Sequence, residues 1–253
     1  MTFVPTQSSL PAAPYLDELS AALGRARLFN RDSLAAAARI VEQVVADDGI
    51  VYVFGSGHSQ LAALELNGRA GSIASLQVVF DPTWGAAENV EGYGEALVAD
   101  SPPGTGDCLI AISHSGTTAA AIEVAGWART LGVPVIAITS LARVNCAEPV
   151  HSSGLKLHQI ADVVLDDGTV EPQDPARADP AQTSATLLND TCTAPTSTIV
   201  AAALLHEMVA DAVARLAARG VEAPVLRPNS AAGGREHNQR LRDRYRGRVR
   251  IVF

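Results

Sequence analysis

Two kinds of apolar pattern alternate along the chain. Over residues 16–47, apolar side chains recur at three- and four-residue steps, which predicts helix, and Gly24 or the Asn30–Asp32 region could divide it in two. After Asp48–Gly49 the run Ile50–Phe54 is apolar at every position and rich in β-branched and aromatic residues. Such a short run is typical of a strand buried on both faces of a parallel sheet.

The same kind of strand recurs four more times, separated by helical patterns over residues 117–131 and 195–219. This alternation predicts an α/β fold, a doubly wound five-stranded parallel sheet with helices on both faces. Residues 166–195, rich in Asp, Pro, Thr and Gln, are predicted to form a long loop. The four further strands are predicted at Leu76–Phe80, Cys108–Ile112, Pro134–Thr139 and Asp162–Leu165.

Length and composition favour one domain with extensions. The 253 residues are 47% hydrophobic and 18% charged, which is typical of a folded globular protein. We predict an N-terminal lead, disordered at its start, and a helix over 1–34, a domain over 35–220 and an arginine-rich arm over 221–253. The net charge of −8 argues against nucleic-acid binding by the whole chain.

The arm carries an excess of positive charge. Eight arginines lie between Arg227 and Arg250, against two acids, Glu236 and Asp243, so this stretch has a net charge of +6. It is interpreted either as a solvated surface segment or as an arm that reaches an anion, in its own site or in a neighbouring subunit.

The cellular compartment can be predicted from targeting signals and from the number and spacing of cysteines. No apolar run approaches the roughly 20 residues that span a bilayer, and the first residues do not resemble a secretory signal. Three widely spaced cysteines fit a reducing compartment without a disulfide framework. A cytoplasmic protein without membrane attachment is therefore predicted.

The first loop with candidate chemistry is Gly55-Ser-Gly-His-Ser59, which follows the first strand and precedes a helix. Glycine lets the backbone approach a ligand closely, and the first N–H groups of the helix attract anions. A dinucleotide-binding fingerprint is the alternative, although Gln60 stands at its third glycine position, with Asp81 as the ribose-binding acid.

The second loop, residues 113–118, follows the third strand and carries four hydroxyls and one glycine. A helix cap needs only one hydroxyl. In a sheet of order 2-1-3-4-5 the first and third strands are neighbours, so the two loops would face each other at one crevice. This arrangement favours a phosphate monoester, and the absence of a Walker motif argues against nucleotide triphosphates.

The paired loops G-x-G-x-S and S-x-S-G-x-T resemble the signature of sugar isomerase (SIS) domains over about residues 35–220. Further stretches are similar to a bacterial group of stand-alone SIS-domain proteins, related to phosphoheptose isomerase and N-acetylmuramic acid 6-phosphate etherase. These stretches are Arg69–Gly71, Glu91–Tyr93, His151–Gly154, Ala161–Asp166 and Glu236–Asn238.

The resemblance implies a five-stranded parallel sheet of order 2-1-3-4-5, a homodimer or higher homo-oligomer, and sugar-phosphate binding. We expect neither a metal nor another cofactor. The residues it assigns to phosphate binding are Ser56, Gly57, His58, Ser59, Ser113, His114, Ser115, Gly116, Thr117 and Thr118.

Aldose–ketose isomerisation needs a base that moves a proton between adjacent carbons. Glu65 is one candidate, because it lies six residues past Ser59 on the following helix, about 9 Å along the axis. Glu88 and Glu91 follow the second strand, and Glu91 is the second candidate.

Two histidines are candidates for the acid that opens the sugar ring. His206 lies on the apolar helix 195–219, and the resemblance implies a histidine from the equivalent helix, sometimes contributed by the partner subunit. His237, beside Asn238 in the arm, is comparable, and in a dimer the arm could carry it over the partner's crevice.

The sequence thus predicts a protein that binds a sugar phosphate and catalyses aldose–ketose isomerisation or a related enolisation. Two alternatives stay open, a phosphosugar etherase or lyase and a non-catalytic phosphosugar sensor. The phosphate loops would look the same in all three.

Overall fold

Five strands form one all-parallel sheet in the computed structural model, which describes residues 15–169, 186–188, 191–193 and 195–250. The order β2-β1-β3-β4-β5 confirms the prediction. It places β1 and β3 side by side, with Gly55 paired to Ile112 at their carboxyl ends. The strands are β1 (Val51–Gly55), β2 (Leu76–Val79), β3 (Cys108–Ile112), β4 (Val135–Thr139) and β5 (Val163–Asp166).

Nine helices are present among the described residues, and most surround the sheet. The predicted N-terminal helix divides at Asn30 rather than at Gly24. The helices are α1 (Tyr15–Phe29), α2 (Arg31–Ala46), α3 (His58–Glu65), α4 (Tyr93–Ala99), α5 (Ala119–Thr130), α6 (Leu141–Cys146), α7 (Leu157–Ile160), α8 (Ser197–Ala218) and α9 (Gly234–Arg244).

Both faces of the sheet are buried, as the uniformly apolar strands predict. Successive side chains of a strand point to opposite faces. Val51 and Val53 therefore join a cluster with α1, α2, α3 and α8, while Tyr52 and Phe54 join a second cluster with α4, α5 and α7. Because helices cover both faces of the sheet, a ligand site is expected at the carboxyl ends of its strands.

Asn30 explains where the N-terminal helix divides. Its side chain is 1% exposed, donates from Nδ2 to the carbonyl oxygens of Ala26 (2.7 Å) and Asp166 (2.6 Å), and accepts from the Asp166 amide at 2.7 Å. The junction of α1 and α2 is thereby tied to the end of the edge strand β5.

Two regions of the sequence prediction fall partly beyond the described residues. The predicted long loop over 166–195 contains a short antiparallel pair, β6 (Thr186–Leu188) and β7 (Thr191–Thr193). The rest of it over 170–185, and the N-terminal lead over 1–14, lie outside the described residues. In the described ranges, no helix has both the length and the apolar character needed to span a membrane.

The arginine-rich arm folds against its own chain. Tyr245, after α9, is 1% exposed and packs into the second apolar cluster. Arg244 and Arg248 form ion pairs with Asp48, and Arg250 pairs with Asp100. Both acids precede strands of the sheet, so the arm docks at the end opposite the two candidate loops.

Candidate functional site

The loops after β1 and β3 meet at the carboxyl edge of the sheet. Gly57 begins the first helix turn with a φ of 54°, in the left-handed region that favours glycine. Gly55 is equally constrained, because a Cβ there would lie 2.6 Å from the carbonyl oxygen of Ser59. The two glycines of the first loop are therefore required by its geometry.

Gly116 shapes the second loop. Its φ is 64°, and a Cβ there would lie 2.4 Å from Val144 Cγ2 and 2.8 Å from Thr139 Oγ1. Ser113 Oγ accepts a hydrogen bond from the Gly116 amide at 3.2 Å and lies 3.3 Å from Thr118 Oγ1. These contacts hold the hydroxyls of the loop at the start of α5.

A cavity of about 410 Å³ opens between the two loops, within the range of about 300–1,000 Å³ typical of small-molecule sites. Helices α3, α5 and α8 all begin beside it, and their first N–H groups favour an anion. Its wall carries the hydroxyls of Ser56, Ser59, Ser113, Ser115, Thr118, Ser197 and Thr198.

Most of the predicted phosphate-binding residues line this cavity. Gly116 and Thr117 are buried in the second loop and do not line it. The phosphate-binding role of the lining residues stays a prediction. Those that line the wall are Ser56, Gly57, His58, Ser59, Ser113, His114, Ser115 and Thr118.

Of the two acids that follow β2, Glu88 and not Glu91 reaches the cavity. Glu88 Oε2 accepts a hydrogen bond from Ser56 Oγ at 2.5 Å, and the Glu88 carbonyl accepts from the Ala120 amide at the start of α5. Glu88 thus links both loops.

Glu91 instead anchors the loop over residues 151–154. Its carboxylate accepts from the Ser152 amide and hydroxyl, both at 2.6 Å, and these hydrogen bonds lower the pKa of Glu91 below its ordinary value. Two stretches that carried the family resemblance, around Glu91 and around Ser152, are therefore in contact.

His114 in the second loop is held by a carboxylate from the end of the sheet. Its Nδ1 lies 2.6 Å from Oδ2 of Asp167, which is 2% exposed, and 3.3 Å from Thr169 Oγ1. A buried carboxylate on Nδ1 fixes the orientation of the imidazole. His114 therefore places an oriented ring at the cavity wall, with its Nε2 atom buried.

Among the lining residues that the sequence analysis did not select, three come from segments that follow three different strands. Asp167 follows β5, Arg143 lies on α6 after β4, and Trp84 lies in the turn after β2. The available signal was positional, since parallel strands end at the same edge and each of these residues lies just past a strand.

Glu65 and His206 lie together but outside the cavity wall. Glu65 Oε1 lies 3.4 Å from His206 Nε2 and also pairs with Arg69 Nη1, and both candidate side chains are about half exposed. Burial and the neighbouring Arg69 charge lower the pKa of His206. The sequence analysis selected Glu65 and His206 by separate arguments. In the fold, the packing of α3 on α8 brings them together.

His237 is engaged within its own chain. It is 8% exposed and its Nε2 lies 2.9 Å from the carbonyl oxygen of Val225. Asn238 donates to the Arg227 carbonyl at 2.7 Å and accepts from the Arg227 amide at 2.9 Å. Neither residue lines the cavity of its own chain, and the contact of the arm with a partner's crevice stays a prediction.

Gln60 and Asp81, central to the dinucleotide alternative, have structural partners. Gln60 Oε1 accepts from the Asp81 amide at 2.5 Å and its Nε2 donates to the Asp81 carbonyl. Burial opposes ionisation of Asp81, yet hydrogen bonds from Tyr93, Thr83 and Gly85 hold its pKa below the ordinary value. These contacts argue against a ribose-binding role for Asp81.

No three His, Cys, Asp or Glu side chains of the described residues are grouped closely enough to hold one metal ion. Seven hydroxyl-bearing residues line the cavity, beside the titratable side chains of His58, Glu88, His114, Arg143 and Asp167. Hydroxyl donors suit an oxyanion better than a cation.

The fold and the paired loops are those of a sugar isomerase (SIS) domain, and comparison with known proteins identifies the same family. Residues 14–140 match the SIS domain family, and the chain belongs to that family. Within it, relatives over nearly the whole chain are bacterial UPF0309 proteins. The protein of Streptomyces griseus subsp. griseus is 36% identical, with 94% of this chain and 96% of the relative covered. A Listeria monocytogenes UPF0309 protein is 34% identical, with 86% and 90% covered.

Two solved structures share the fold at low sequence identity. The phosphoheptose isomerase GmhA of Neisseria gonorrhoeae has a TM-score of 0.54 and 20% identity, with 80% of this chain and 96% of that chain covered. The Vibrio vulnificus NanR protein complexed with ManNAc-6P has a TM-score of 0.52 and 17% identity, with 85% of this chain and 66% of that chain covered. At this level of sequence identity, the two similarities show a shared fold and nothing more.

Proposed function

We propose that the protein binds a sugar phosphate in the cavity and catalyses aldose–ketose isomerisation or a related enolisation. The observation that carries this proposal is the convergence, on one cavity wall, of two hydroxyl-rich loops with the Glu88 carboxylate and the His114–Asp167 pair. An anion site and acid–base groups within one small-molecule cavity are what enolisation of a phosphorylated sugar requires.

The phosphate is assigned to the second loop. Ser113, Ser115 and Thr118 offer hydroxyl donors, and the first amides of α5 point to the same region. Arg143 lines the wall as the basic side chain contributed by α6. Charge-assisted hydrogen bonds of this kind are about twice as strong as neutral ones.

Proton transfer is assigned first to Glu88. Enolisation removes a proton from the carbon beside the carbonyl, and a carboxylate in a partly enclosed site is a suitable base. The Ser56 hydroxyl fixes its position. His114, oriented by Asp167, is the other acid–base side chain at this wall. Glu65 with His206 is the rival pair, since they lie 3.4 Å apart beside α8.

The proposal includes the cellular compartment, the cytoplasm, and the oligomeric state, a homo-oligomer. Cys108 and Cys146 are both free, which supports a reducing cytoplasm. Leu61 on α3 and Ile199 on α8 are 46% and 45% exposed, respectively, on two helices packed together. A homo-oligomer would cover these side chains, and light scattering on the purified chain measures its mass.

A phosphosugar sensor is the second candidate. The NanR protein, whose structure holds ManNAc-6P, shares the fold, so the same architecture occurs in a protein that binds a phosphosugar. A sensor needs the phosphate loops but no base at the sugar carbons. The acid–base groups on the cavity wall favour the enzyme.

The test is a panel of sugar phosphates incubated with the protein in D₂O and followed by NMR. Deuterium appearing at the carbon next to the carbonyl, with interconversion of aldose and ketose, is the expected result. Saturable binding without exchange across the panel would support the sensor, and loss of a substituent would support an etherase or lyase. Absence of any sugar-phosphate binding would refute both proposed functions.

A further inference from the structure

Trp84 stands at the cavity wall although 53% of it is exposed. Among the described residues that line the cavity, it supplies the only indole or phenyl ring. The other apolar lining comes from small or aliphatic residues such as Ile112 and Ala201. Packing in the core does not explain why an exposed indole lies beside a hydroxyl-rich cavity.

The backbone at Trp84 is strained. Its φ is 53°, in the left-handed region, which is a rare conformation for a bulky residue. Gly85 follows with a φ of 88°, and a Cβ there would lie 3.0 Å from Gly57 Cα in the first loop. The turn is therefore pressed against the first loop, backbone to backbone.

Asp81 holds this strained turn in place. Its carboxylate accepts from the Thr83 amide at 2.8 Å, the Gly85 amide at 2.7 Å and the Tyr93 hydroxyl at 2.6 Å. A conformation fixed by so many contacts persists despite its cost, and such strain is concentrated at functional sites.

The indole itself is braced from one side. The rings of Phe80 and Trp84 meet edge to face, with centroids 6.1 Å apart and an interplanar angle of 89°. More than half of Trp84 nevertheless remains exposed beside the cavity. Glu88 lies beside the same turn, because its Oε2 is 3.4 Å from the position of a Gly85 Cβ.

We propose that Trp84 is the platform for the sugar, packing against the C–H face of a substrate in its cyclic, pyranose form. This inference rests on the proposed function and names the substrate class as cyclic sugar phosphates. A pyranose has a face of C–H groups and a rim of hydroxyls, so it matches an apolar ring beside a polar wall. The platform holds the closed ring while its phosphate occupies the second loop, and the ring must open to the carbonyl form before Glu88 can remove the proton beside that carbonyl.

The test compares three probes by calorimetry, using the full chain. They are glucose 6-phosphate, its open-chain alcohol sorbitol 6-phosphate, and inorganic phosphate, with further hexose phosphates added as matched pairs of ring and reduced forms. Trp84→Ala is expected to weaken binding of the cyclic phosphates about 3- to 10-fold, the effect of losing one aromatic contact. The open-chain alcohols and inorganic phosphate are expected to bind unchanged.

Two further variants sharpen the result. Trp84→Phe keeps an aromatic ring and is expected to retain most of the affinity for cyclic phosphates. Val90→Ala is the matched control, since Val90 is 59% exposed in the same segment and does not line the cavity. In Trp127→Phe, Trp84 is the remaining tryptophan of two, and its fluorescence is expected to shift with cyclic sugar phosphate and not with inorganic phosphate.

The possible failures are distinct. If the wild-type chain binds cyclic phosphates and Trp84→Ala binds them equally, the platform is refuted while the proposed function stands. If Trp84→Ala binds all three probes equally more weakly, the platform is also refuted and Trp84 is assigned to the structure of the turn. If the affinity is unchanged but the oligomeric mass changes, the platform is refuted and Trp84 is assigned to an interface between subunits. If the wild-type chain binds no sugar phosphate, the platform and the proposed function fail together.

Discussion

Ser56 donates a hydrogen bond from Oγ to Oε2 of Glu88, with 2.5 Å between the two oxygens. This contact joins the loop after β1 to the segment after β2 and fixes a carboxylate on the cavity wall. Gly85 permits it, because a Cβ there would crowd both Gly57 and the Glu88 carboxylate. The proposed base is thus positioned by the same loop that contributes to the proposed phosphate site.

The first prediction concerns the phosphate. Ser115→Ala removes a hydroxyl that lines the cavity, and we expect phosphosugar binding to weaken by about 1.5–3 kcal/mol, the loss of a hydrogen bond to a charged group. Titration calorimetry measures the change. Ser20→Ala on α1, whose hydroxyl bonds Leu16, is the control and should bind as the wild type does. Unchanged affinity in Ser115→Ala would remove this hydroxyl from the phosphate site.

The second prediction concerns the shape of the same loop. Gly116→Ala forces a Cβ into Val144 at a positive φ, so we expect the free energy of unfolding to fall by about 1–3 kcal/mol. In a Val144→Ala background the same glycine substitution should cost less, because the clash with Val144 is gone while the contact with Thr139 Oγ1 and the positive φ remain. Urea denaturation measures both.

Gly126→Ala in α5 is the matched comparison. A Cβ at Gly126 meets nothing within 4 Å, and helical alanine is favoured over glycine by about 1 kcal/mol. Gly126→Ala should therefore stabilise the protein. Equal effects of the two glycine substitutions would contradict the packing described for the second loop.

The strands and both loops could be predicted from the sequence because their signals are local. Runs such as Ile50–Phe54 are apolar at every position, and the glycines and hydroxyls of each loop are contiguous. Strand and helix alternation then predicted a parallel sheet, and the order 2-1-3-4-5, which the resemblance implied, brings the two loops together.

The acid–base residues depend on contacts that no local pattern contains. Glu88 and Glu91 are three residues apart, and the turn held by Asp81 together with the contact to Ser152 decides which one faces the cavity. The partner of His114 is Asp167, 53 residues further along the chain. The arm docks through buried side chains scattered along it, namely Leu226, His237, Asn238 and Tyr245, and this is too weak a signal in a stretch dominated by arginine.

The third prediction concerns pH and the arm. Partial burial of Asp48 opposes its ionisation, but hydrogen bonds and charge from Arg244 and Arg248 outweigh this and lower its pKa below the ordinary 3.8. A carboxylate with a lowered folded-state pKa stabilises the fold above its ordinary pKa and loses that contribution as pH falls through the lowered value. The docking contribution of Asp48 should therefore be complete above about pH 5 and vanish in stronger acid.

Asp48→Asn measures that contribution. Both ion pairs are nearly half exposed, so solvent screening limits the expected loss of unfolding free energy to about 0.5–1.5 kcal/mol near neutral pH. The difference from the wild type should shrink as pH falls below 4. Asp47→Asn, whose carboxylate bonds Gln43, is the control. A difference that is independent of pH would contradict the ion-pair account.

The fourth prediction separates the arm from the cavity. Tyr245 is 1% exposed in the apolar cluster, so Tyr245→Ala should lower the free energy of unfolding by about 3–5 kcal/mol. Phosphosugar affinity of the folded fraction should stay unchanged, because the arm docks at the other end of the sheet. An affinity that falls with this substitution, measured where the variant is fully folded, would show that the arm contributes to the site.

The central claim is that Glu88 abstracts the sugar proton, and deuterium incorporation from D₂O tests it most directly. The substrate is the best exchanging sugar phosphate of the panel, followed by NMR for the wild type and for Glu88→Gln, Glu65→Gln and Glu91→Gln. Glu95→Gln, on α4 and outside the cavity wall, is the control.

Loss of a positioned base costs roughly 10²–10⁴ in rate. The account predicts that Glu88→Gln slows exchange at least about a hundredfold while binding the sugar phosphate within about threefold of the wild type, and that Glu65→Gln and Glu91→Gln keep most of the rate. Exchange at the wild-type rate in Glu88→Gln, with loss of exchange in Glu65→Gln, would contradict it and assign the base to the Glu65–His206 pair.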